Sequence, residues 1–367
     1  MKSSSSPESF AVSYPTKPLS DCLVSVKVPA KIPRSSFLGA GRFPIISQES
    51  DFINGYWDDE VDAVRVDDPV VVFGDHTQVL KLIDFDFVVG ADGVKILKPK
   101  GFLDAAFLFY FLEANPVSSL GYARHYRHIS GSAIPLPPLD EQMRIVAILD
   151  RAFAALDRAR AHAEANLADA DGLFDGVLEE AFASNQEWPV KYLPEISENL
   201  DRQRVPITRH ERQPGNVPYY GASGVVDQVA GHLFDDDLLL VSEDGANLLA
   251  RTYPIAFSIS GKSWVNNHAH VLRFDDSDTQ EYVRLYLNSI TLEPYVNGMA
   301  QPKLNQKALN QIPIPFPDED RRAAIVAGAA TIREHCNALR QHYSTQLNDL
   351  ATLRQSFLQK AFSGQLA

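Results

Sequence analysis

Cysteine is scarce. Cys22 and Cys336 are the only two, and they lie far apart without metal-ligand spacing. That excludes a disulfide framework and implies a reducing, cytoplasmic setting. No apolar run approaches the ~18 residues that span a bilayer. The nearest, "AAFLFYFL" from Ala105 to Leu112, stops at Glu113 and reads as a buried helix, so no membrane partner is expected. The opening "MKSSSSPESF" has no apolar stretch after Lys2, which excludes a signal peptide and leaves residues 1–12 as a disordered tail. A basic excess is missing too: net charge is -13, and no segment forms a basic arm. Nonspecific coating of nucleic acid, which depends on neutralising phosphates, is thereby excluded. Charge is local, so DNA binding remains open, with help expected from a partner.

What is present is a repeat. At 367 residues and 45% hydrophobic content the chain is globular and too long for one ordinary core. "IPLPPLDEQMRIV" begins at Ile134, and "IPIPFPDEDRRAAIV" begins at Ile312. "YPTKPLSD" at Tyr14 resembles "WPVKYLPE" at Trp188, and "FPII" at Phe43 resembles "VPYY" at Val217. "FLFYFL" at Phe107 resembles "YVRLYL" at Tyr282, and "EEAFAS" at Glu179 resembles "QKAFSG" at Gln359. The chain is a unit of roughly 180 residues written twice, each a mixed domain followed by a helix.

Proline is absent from Asp140 to Phe182 and from Glu319 to Phe362, and glycine is sparse there. Apolar residues recur at spacings of three and four: Ile145, Leu149, Leu156, Leu167 and Phe174 in the first copy, and Ile325, Ile332, Leu339, Leu347 and Phe357 in the second. Alanines 152, 159, 163, 170 and 181 with Val177, and Ala329, Cys336, Tyr343, Leu350, Leu353 and Ala361, continue the two stripes. Such stripes are seams for a partner helix. Each helix would be about 60 Å long at 1.5 Å per residue, and the two are expected to pair antiparallel as a coiled coil, small residues against large. The prolines before each helix hold the chain extended and forbid helix until the last is passed. The acidic pair that follows sits in the first turn, where the helix dipole favours it. This is a stiff elbow. The expected class is α+β, with two mixed α/β domains in tandem, each with its long helix, and a pseudo-twofold relating them. The boundaries are 13–138 and 186–316 for the domains, and 139–185 and 317–367 for the helices. Twofold symmetry within one chain suggests a twofold target, and duplex DNA is the commonest.

Signals that look catalytic fail on context. "SSFLGAGRF" has glycines in the order that opens nucleotide and S-adenosylmethionine sites, but it leads into Pro44 and reads as a turn. "SISGKSW" offers the closing half of a phosphate-binding loop, with Ala256 where the first glycine is needed. His268 and His270 could share a strand face and bind metal, but no third ligand is evident, and polar residues at the surface are the simpler reading. "FGDHT" at Phe73 and "VSEDGAN" at Val241 look like strands running into turns, and Glu243 with Asp244 has no counterpart dyad in the first unit. No catalytic residue and no metal site is assigned.

Binding chemistry remains. The first unit offers Lys31, Arg34, Arg42, His76 and Thr77, then Arg124, His125, Tyr126, Arg127 and His128. The second offers Arg202, Arg204, Arg209, Arg212, Tyr220 and Lys262, then Asn266, Asn267, Gln301, Lys303, Asn305 and Lys307. Arginine pairs with guanine and asparagine or glutamine with adenine, while lysine takes phosphates. For any one of them a solvated surface charge is the plain reading. Just before the elbows the units differ strongly, "GYARHYRHISGSAIPLP" against "NGMAQPKLNQKALNQIPIP". One frame with two unlike surfaces suits an asymmetric target.

The elbow phrases, the helix ends "EEAFAS" and "QKAFSGQLA", "VPYYGASG" and "GMAQPKLNQKALNQIPIP" together resemble the specificity subunit of type I restriction-modification systems, across essentially the whole chain. The resemblance implies two target-recognition domains, each reading half of a bipartite double-stranded DNA sequence, with paired helices setting the gap. It implies two methylation subunits docked on those helices, which hold S-adenosylmethionine and methylate adenine, and restriction-motor subunits that use ATP and Mg. This chain would itself be non-catalytic and hold no cofactor. Tyr14 stands where the second unit has Trp188, and the first unit lacks "QPKLNQ", which bears on the first domain's DNA-facing set. Two other readings stay open: a non-enzymatic coiled-coil adaptor, and an S-adenosylmethionine-binding enzyme using the "FLGAG" loop.

Overall fold

The computed structural model describes residues 14–91, 93–118, 124–183, 188–298 and 301–365; the expected tail over 1–12 lies outside them. The chain divides into two compact units. One comprises Met1–Ala163 with Thr345–Ala367, the other Glu164–Ser344.

In the first unit a four-stranded antiparallel sheet runs in the order Leu23–Val24, Val94–Pro99, Val70–Gly74, Leu80–Ile83. Its central run "VVVFG" is buried at every position, as a β-branched strand covered on both faces should be. A second sheet is ordered Lys31–Ile32, Phe87–Gly90, Phe43–Ile46, Gly55–Trp57, with Ala63–Val64 also on Phe87–Gly90. The helix Ala105–Ala114 buries Phe107, Leu108, Phe111 and Leu112 in one core with Leu19, Val71, Leu97 and Ile134. Asp104 starts it by accepting the Phe107 N–H at 2.8 Å. This is the helix expected of "AAFLFYFL".

The second unit repeats the plan. Its antiparallel sheet is ordered Glu198–Asn199, Ala269–Arg273, Leu238–Ser242, Ala256–Ile259. The helix Ser277–Ser289 covers it, capped by Asp276. A second sheet is built differently from its counterpart, as Gly224–Val229, Pro214–Gly221, Lys262–Val265 and Phe234–Asp235.

The elbows are more than stiff spacers. Ala133–Pro135 pairs antiparallel with Thr16–Pro18, and Ile314–Pro315 pairs with Val190–Lys191. Each unit therefore closes by joining its opening phrase to its closing one, so the two matched phrases are strand partners. Strands this short tolerate proline because few ladder donors are needed. Ile134 and Ile314 are fully buried, and the Tyr282 and Tyr286 hydroxyls donate to the carbonyls of Pro315 and Pro313 at 2.6 and 2.7 Å. At the turn into each long helix one side chain bridges the last prolines. Gln142 donates to the carbonyls of Pro137 and Phe102 and accepts the Asp104 N–H, and Arg322 donates to the Pro317 carbonyl over the Phe316 ring.

The long helices span Leu139–Ala183 and Glu319–Phe362, with Asp140 and Glu141, and Glu319 and Asp320, in their first turns. In the first unit Ile145, Leu149 and Phe153 share a core with Leu358 and Ala361; in the second Phe174 and Leu178 cluster with Val326 and Ala329. The start of each helix is thus packed with the end of the other, so they run antiparallel, as expected. The matched helix ends explain themselves. Phe362 lies edge-on to Phe107 and Phe111 at 5.1 and 5.5 Å, and Phe182 lies edge-on to Tyr282 and Tyr286 at 5.5 and 5.2 Å.

The seam needs correction. Leu156, Leu167, Phe174, Ile325, Ile332, Leu347 and Phe357 are half-buried, but Leu339 is 37% exposed and Leu353 is 45% exposed. The buried stripe follows a seven-residue step through Leu149, Ala163 and Ala170, and through Ala329 and Cys336. With 3.6 residues per turn, a three-four pattern drifts around the helix, which turns Leu339 outward and brings Phe153, Leu178 and Leu358 in.

Candidate nucleic-acid interface

Both units anchor the segment before the elbow on the residue that follows their central strand. The His125 N–H donates to the Asp75 carbonyl at 2.8 Å, and the Leu304 N–H donates to the Glu243 carbonyl at 2.8 Å. His125 and Leu304 are both buried. A short helix follows each, Tyr126–Ile129 and Gln306–Leu309, whose last residue is buried under the elbow. This fixes which side chains can face a ligand. Arg124, Arg127 and His128 are exposed in the first unit, and Lys303 and Lys307 in the second.

Several candidates are thereby reassigned. His125 is 1% exposed, with its ring Nδ1 at 3.0 Å from the Asp75 carbonyl, and it fills the place of Leu304. Asn305 caps its short helix by accepting the Ala308 N–H, and the buried Asn266 accepts the His268 N–H. Tyr220 is half-buried beside Phe257, and burial pushes its hydroxyl pKa up. Arg204 is an internal cation, donating to the Glu243 carboxylate and the Ala269 carbonyl at 2.7 Å each. None of these five is an open reading side chain. Sequence alone did not separate them from surface charges because burial depends on partners far along the chain.

The other candidates are reachable. Lys31, Arg202, Arg209, Lys262 and Asn267 are exposed, and His76 is half-buried beside the exposed Thr77. Arg34 is paired with Glu49, and Arg42 lies 2.9 Å from Glu60. Arg65 and Arg42 together hold the Glu60 carboxyl below its usual range. Arg212 stacks on Tyr219 and pairs with Asp227 at 2.9 Å.

Beneath Lys303 lies a charged cluster that sequence reading missed. Asp201 accepts from Val271 N–H at 2.8 Å and meets His270 Nδ1 at 2.6 Å, while His270 Nε2 meets the Leu304 carbonyl at 2.8 Å. Glu243 takes Arg204 on one oxygen and Lys303 on the other, at 2.7 and 3.1 Å. Burial opposes charge on both carboxyls, but His270, Val271 and Arg204 hold Asp201 below the ordinary range, and Arg204, His270 and Lys303 do the same for Glu243. Asp201, Glu243 and His270 are close enough to suggest a metal set. Their donor atoms are already committed to Arg204, Lys303, Val271 and Leu304, and a guanidinium and an ammonium there oppose a cation. His270 is 1% exposed, which corrects the surface reading. Only His268 fits that reading, paired with Asp244 at 2.8 Å.

The apparent nucleotide loops are turns. Residues 39–42 form a bend before the strand Phe43–Ile46, with no helix following, and Gly261 at φ +69° turns between Ala256–Ile259 and Lys262–Val265. No helix among the described residues is long and apolar enough to cross a membrane.

These features define a class: a duplicated β-rich domain with its own long helix, in which buried anchors repeat and exposed side chains do not. Residues 185–348 match the type I restriction modification DNA specificity domain. A Haemophilus influenzae protein named as a type I restriction enzyme specificity subunit is 34% identical over 143 residues, which cover 39% of this chain. The matched stretch spans 36% of that relative. Among solved structures, a chain from work on assembly and conformational transition of the type I R-M system aligns over 98% of this chain and 100% of its own, with TM-score 0.72 and 17% identity. The HsdS subunit of Thermoanaerobacter tengcongensis aligns over 99% of this chain and 100% of its own, with TM-score 0.61 and 19% identity; both likenesses are of fold. Residues 185–348 thus match that family's DNA specificity domain, and the chain as a whole shares the fold of these two solved structures.

Proposed function

We propose that this chain is a non-catalytic subunit that reads a bipartite, asymmetric double-stranded DNA sequence, one half with residues 13–138 and the other with residues 186–316. The supporting observation is the repeated anchor, His125 on Asp75 and Leu304 on Glu243, beneath unlike exposed sets. One frame presenting two surfaces suits two different half-sites. In the first domain the readers are Arg124, Arg127 and His128, backed by Lys31, Arg34, Arg42 and His76. In the second they are Lys303 and Lys307 with Arg202, Arg209, Lys262 and Asn267.

The helices 139–185 and 317–367 set the distance between half-sites and dock two methylation subunits. Those partners supply S-adenosylmethionine and transfer methyl groups to adenine; restriction-motor subunits with ATP and Mg complete the assembly in the cytoplasm. A chain of net charge -13 fits shared phosphate neutralisation, because counterion release needs cations that this subunit has few of.

The test is co-expression with the methylation subunit of the same operon, followed by sequencing of methylated adenines. A bipartite asymmetric motif that vanishes on deletion of this chain is expected. Methylation that persists without it would overturn the reading.

A further inference from the structure

We infer that His270 is a positioning residue whose doubly protonated ring clamps the segment bearing Lys303 and Lys307, so that reading of the second half-site depends on pH through this one side chain. The inference rests on the proposed DNA reading and deepens it.

The argument is one of donors and acceptors. Both ring nitrogens of His270 face acceptors, the Asp201 carboxylate at 2.6 Å and the Leu304 carbonyl at 2.8 Å. A neutral imidazole has one N–H and one lone pair, so it satisfies one of these and sets a lone pair against the other. Only the imidazolium makes both bonds. Asp201 keeps its charge, so loss of a proton is borne at Nε2, and the bond that fails is the one to Leu304.

The surrounding groups agree. Facing His270 are Asp201 and Arg204 from the single turn after the strand Glu198–Asn199, Glu243 from the end of the neighbouring strand, and Lys303 from the clamped segment. Asp244 and His268 pair beside them. Arg204 and Lys303 already balance the two inner carboxylates, so losing the ring proton removes a bond without creating a new attraction. The segment's remaining ties are backbone bonds that do not titrate, Leu304 N–H to Glu243, Gly245 N–H to Pro302 and Lys303 with Asn297, and the ion pair of Lys303 with Glu243, whose carboxyl is held below its ordinary range. The first unit is built otherwise. Its matching strand places Lys95 opposite Phe73, where the second places His270 opposite Val241, and Lys95 faces Asp75 at 4.0 Å and the Tyr126 ring. A lysine ammonium does not change charge where histidine does.

The experiment uses the full chain in complex with its methylation subunits. Hydrogen exchange of residues 301–305 is followed from about pH 5 to 8, the interval in which histidine switches charge, with Leu238–Ser242 as the internal reference. Protection of 301–305 should fall as pH rises, while the reference holds. In parallel, competition by duplexes altered in the second half-site should show discrimination there falling roughly tenfold as pH rises, the effect of one charge-assisted hydrogen bond. H270Q should flatten the pH profile. Should that variant misfold, the exchange measurement on the unaltered protein decides alone. Exchange of 301–305 that tracks the reference, or an H270Q profile like the original, overturns the clamp. Binding without sequence preference at every pH overturns the DNA reading instead, and exchange still judges the clamp.

Discussion

Between Arg124 and Ile129 the first unit exposes two arginines and a histidine; between Lys303 and Leu309 the second exposes two lysines and Gln306. Underneath, the two segments are superposable in plan: a buried residue on a strand-end carbonyl, a single helical turn, a buried aliphatic, then the proline strand. The same contrast runs through the helices. Arg354 stacks on Phe153 at 3.8 Å and pairs with Glu113, while Arg333 stacks on Phe174 at 4.7 Å and approaches Glu281. At both crossings the second long helix supplies the cation and the first supplies the ring, while the carboxylate that the cation meets differs. Duplication has conserved relationships here rather than residues, and the exposed differences are where function is to be sought.

The comparison breaks first at its buried end. Ile134→Ala and Ile314→Ala remove equivalent fully buried side chains, and each should destabilise its unit by about 2–5 kcal/mol. Denaturant unfolding checks this, and one large loss beside one negligible loss would show that the elbows are not equivalent. Arg127→Ala should weaken discrimination at one half-site with stability unchanged, and Lys303→Ala at the other with a small loss of stability from its pair with Glu243, each discrimination falling by about 1–3 kcal/mol if they touch bases. Equal losses on every sequence in a filter-binding series would reassign them to phosphate. Arg354→Ala and Arg333→Ala should each cost about 1 kcal/mol or less, since both guanidiniums are partly solvated and screened. Thermal melts should rank Arg354 first, because it stacks closer and has two carboxylates, Glu113 and Asp157.

Acid sharpens the contrast further. Asp201 and Glu243 are held below the ordinary carboxylate range, so their stabilising effect is complete above the unfolded values near about 4 and is lost as pH falls through the lower folded values. D201N with E243Q should remove that acid dependence from the second unit. An acid transition that is unchanged in the double variant would place the dependence elsewhere.

The long helices were legible because proline absence and periodic apolar spacing are local signals, and the elbows because proline acts on its own neighbours. Repetition carried the rest: "YPTKPLSD" and "IPLPP" were visible as a recurring pair. That they are strand partners was not, since pairing at such range leaves no local mark. The outward turn of Leu339 escaped for a related reason, as a stripe read three or four residues at a time does not record cumulative rotation. Among the binding candidates, Lys303 and Arg127 look no different in sequence from Arg204 and His125. Lys303 and Arg204 even share Glu243, and only the fold, which covers the Arg204 side chain and leaves half of Lys303 exposed, tells an internal partner from an open side chain.

The most direct test of two surfaces on one frame is to replace residues 186–316 by residues 13–138 and to sequence methylated adenines made with the methylation subunits. The account predicts a palindromic motif, two inverted copies of the first half-site. An asymmetric motif, with the original second half-site still read, would contradict it.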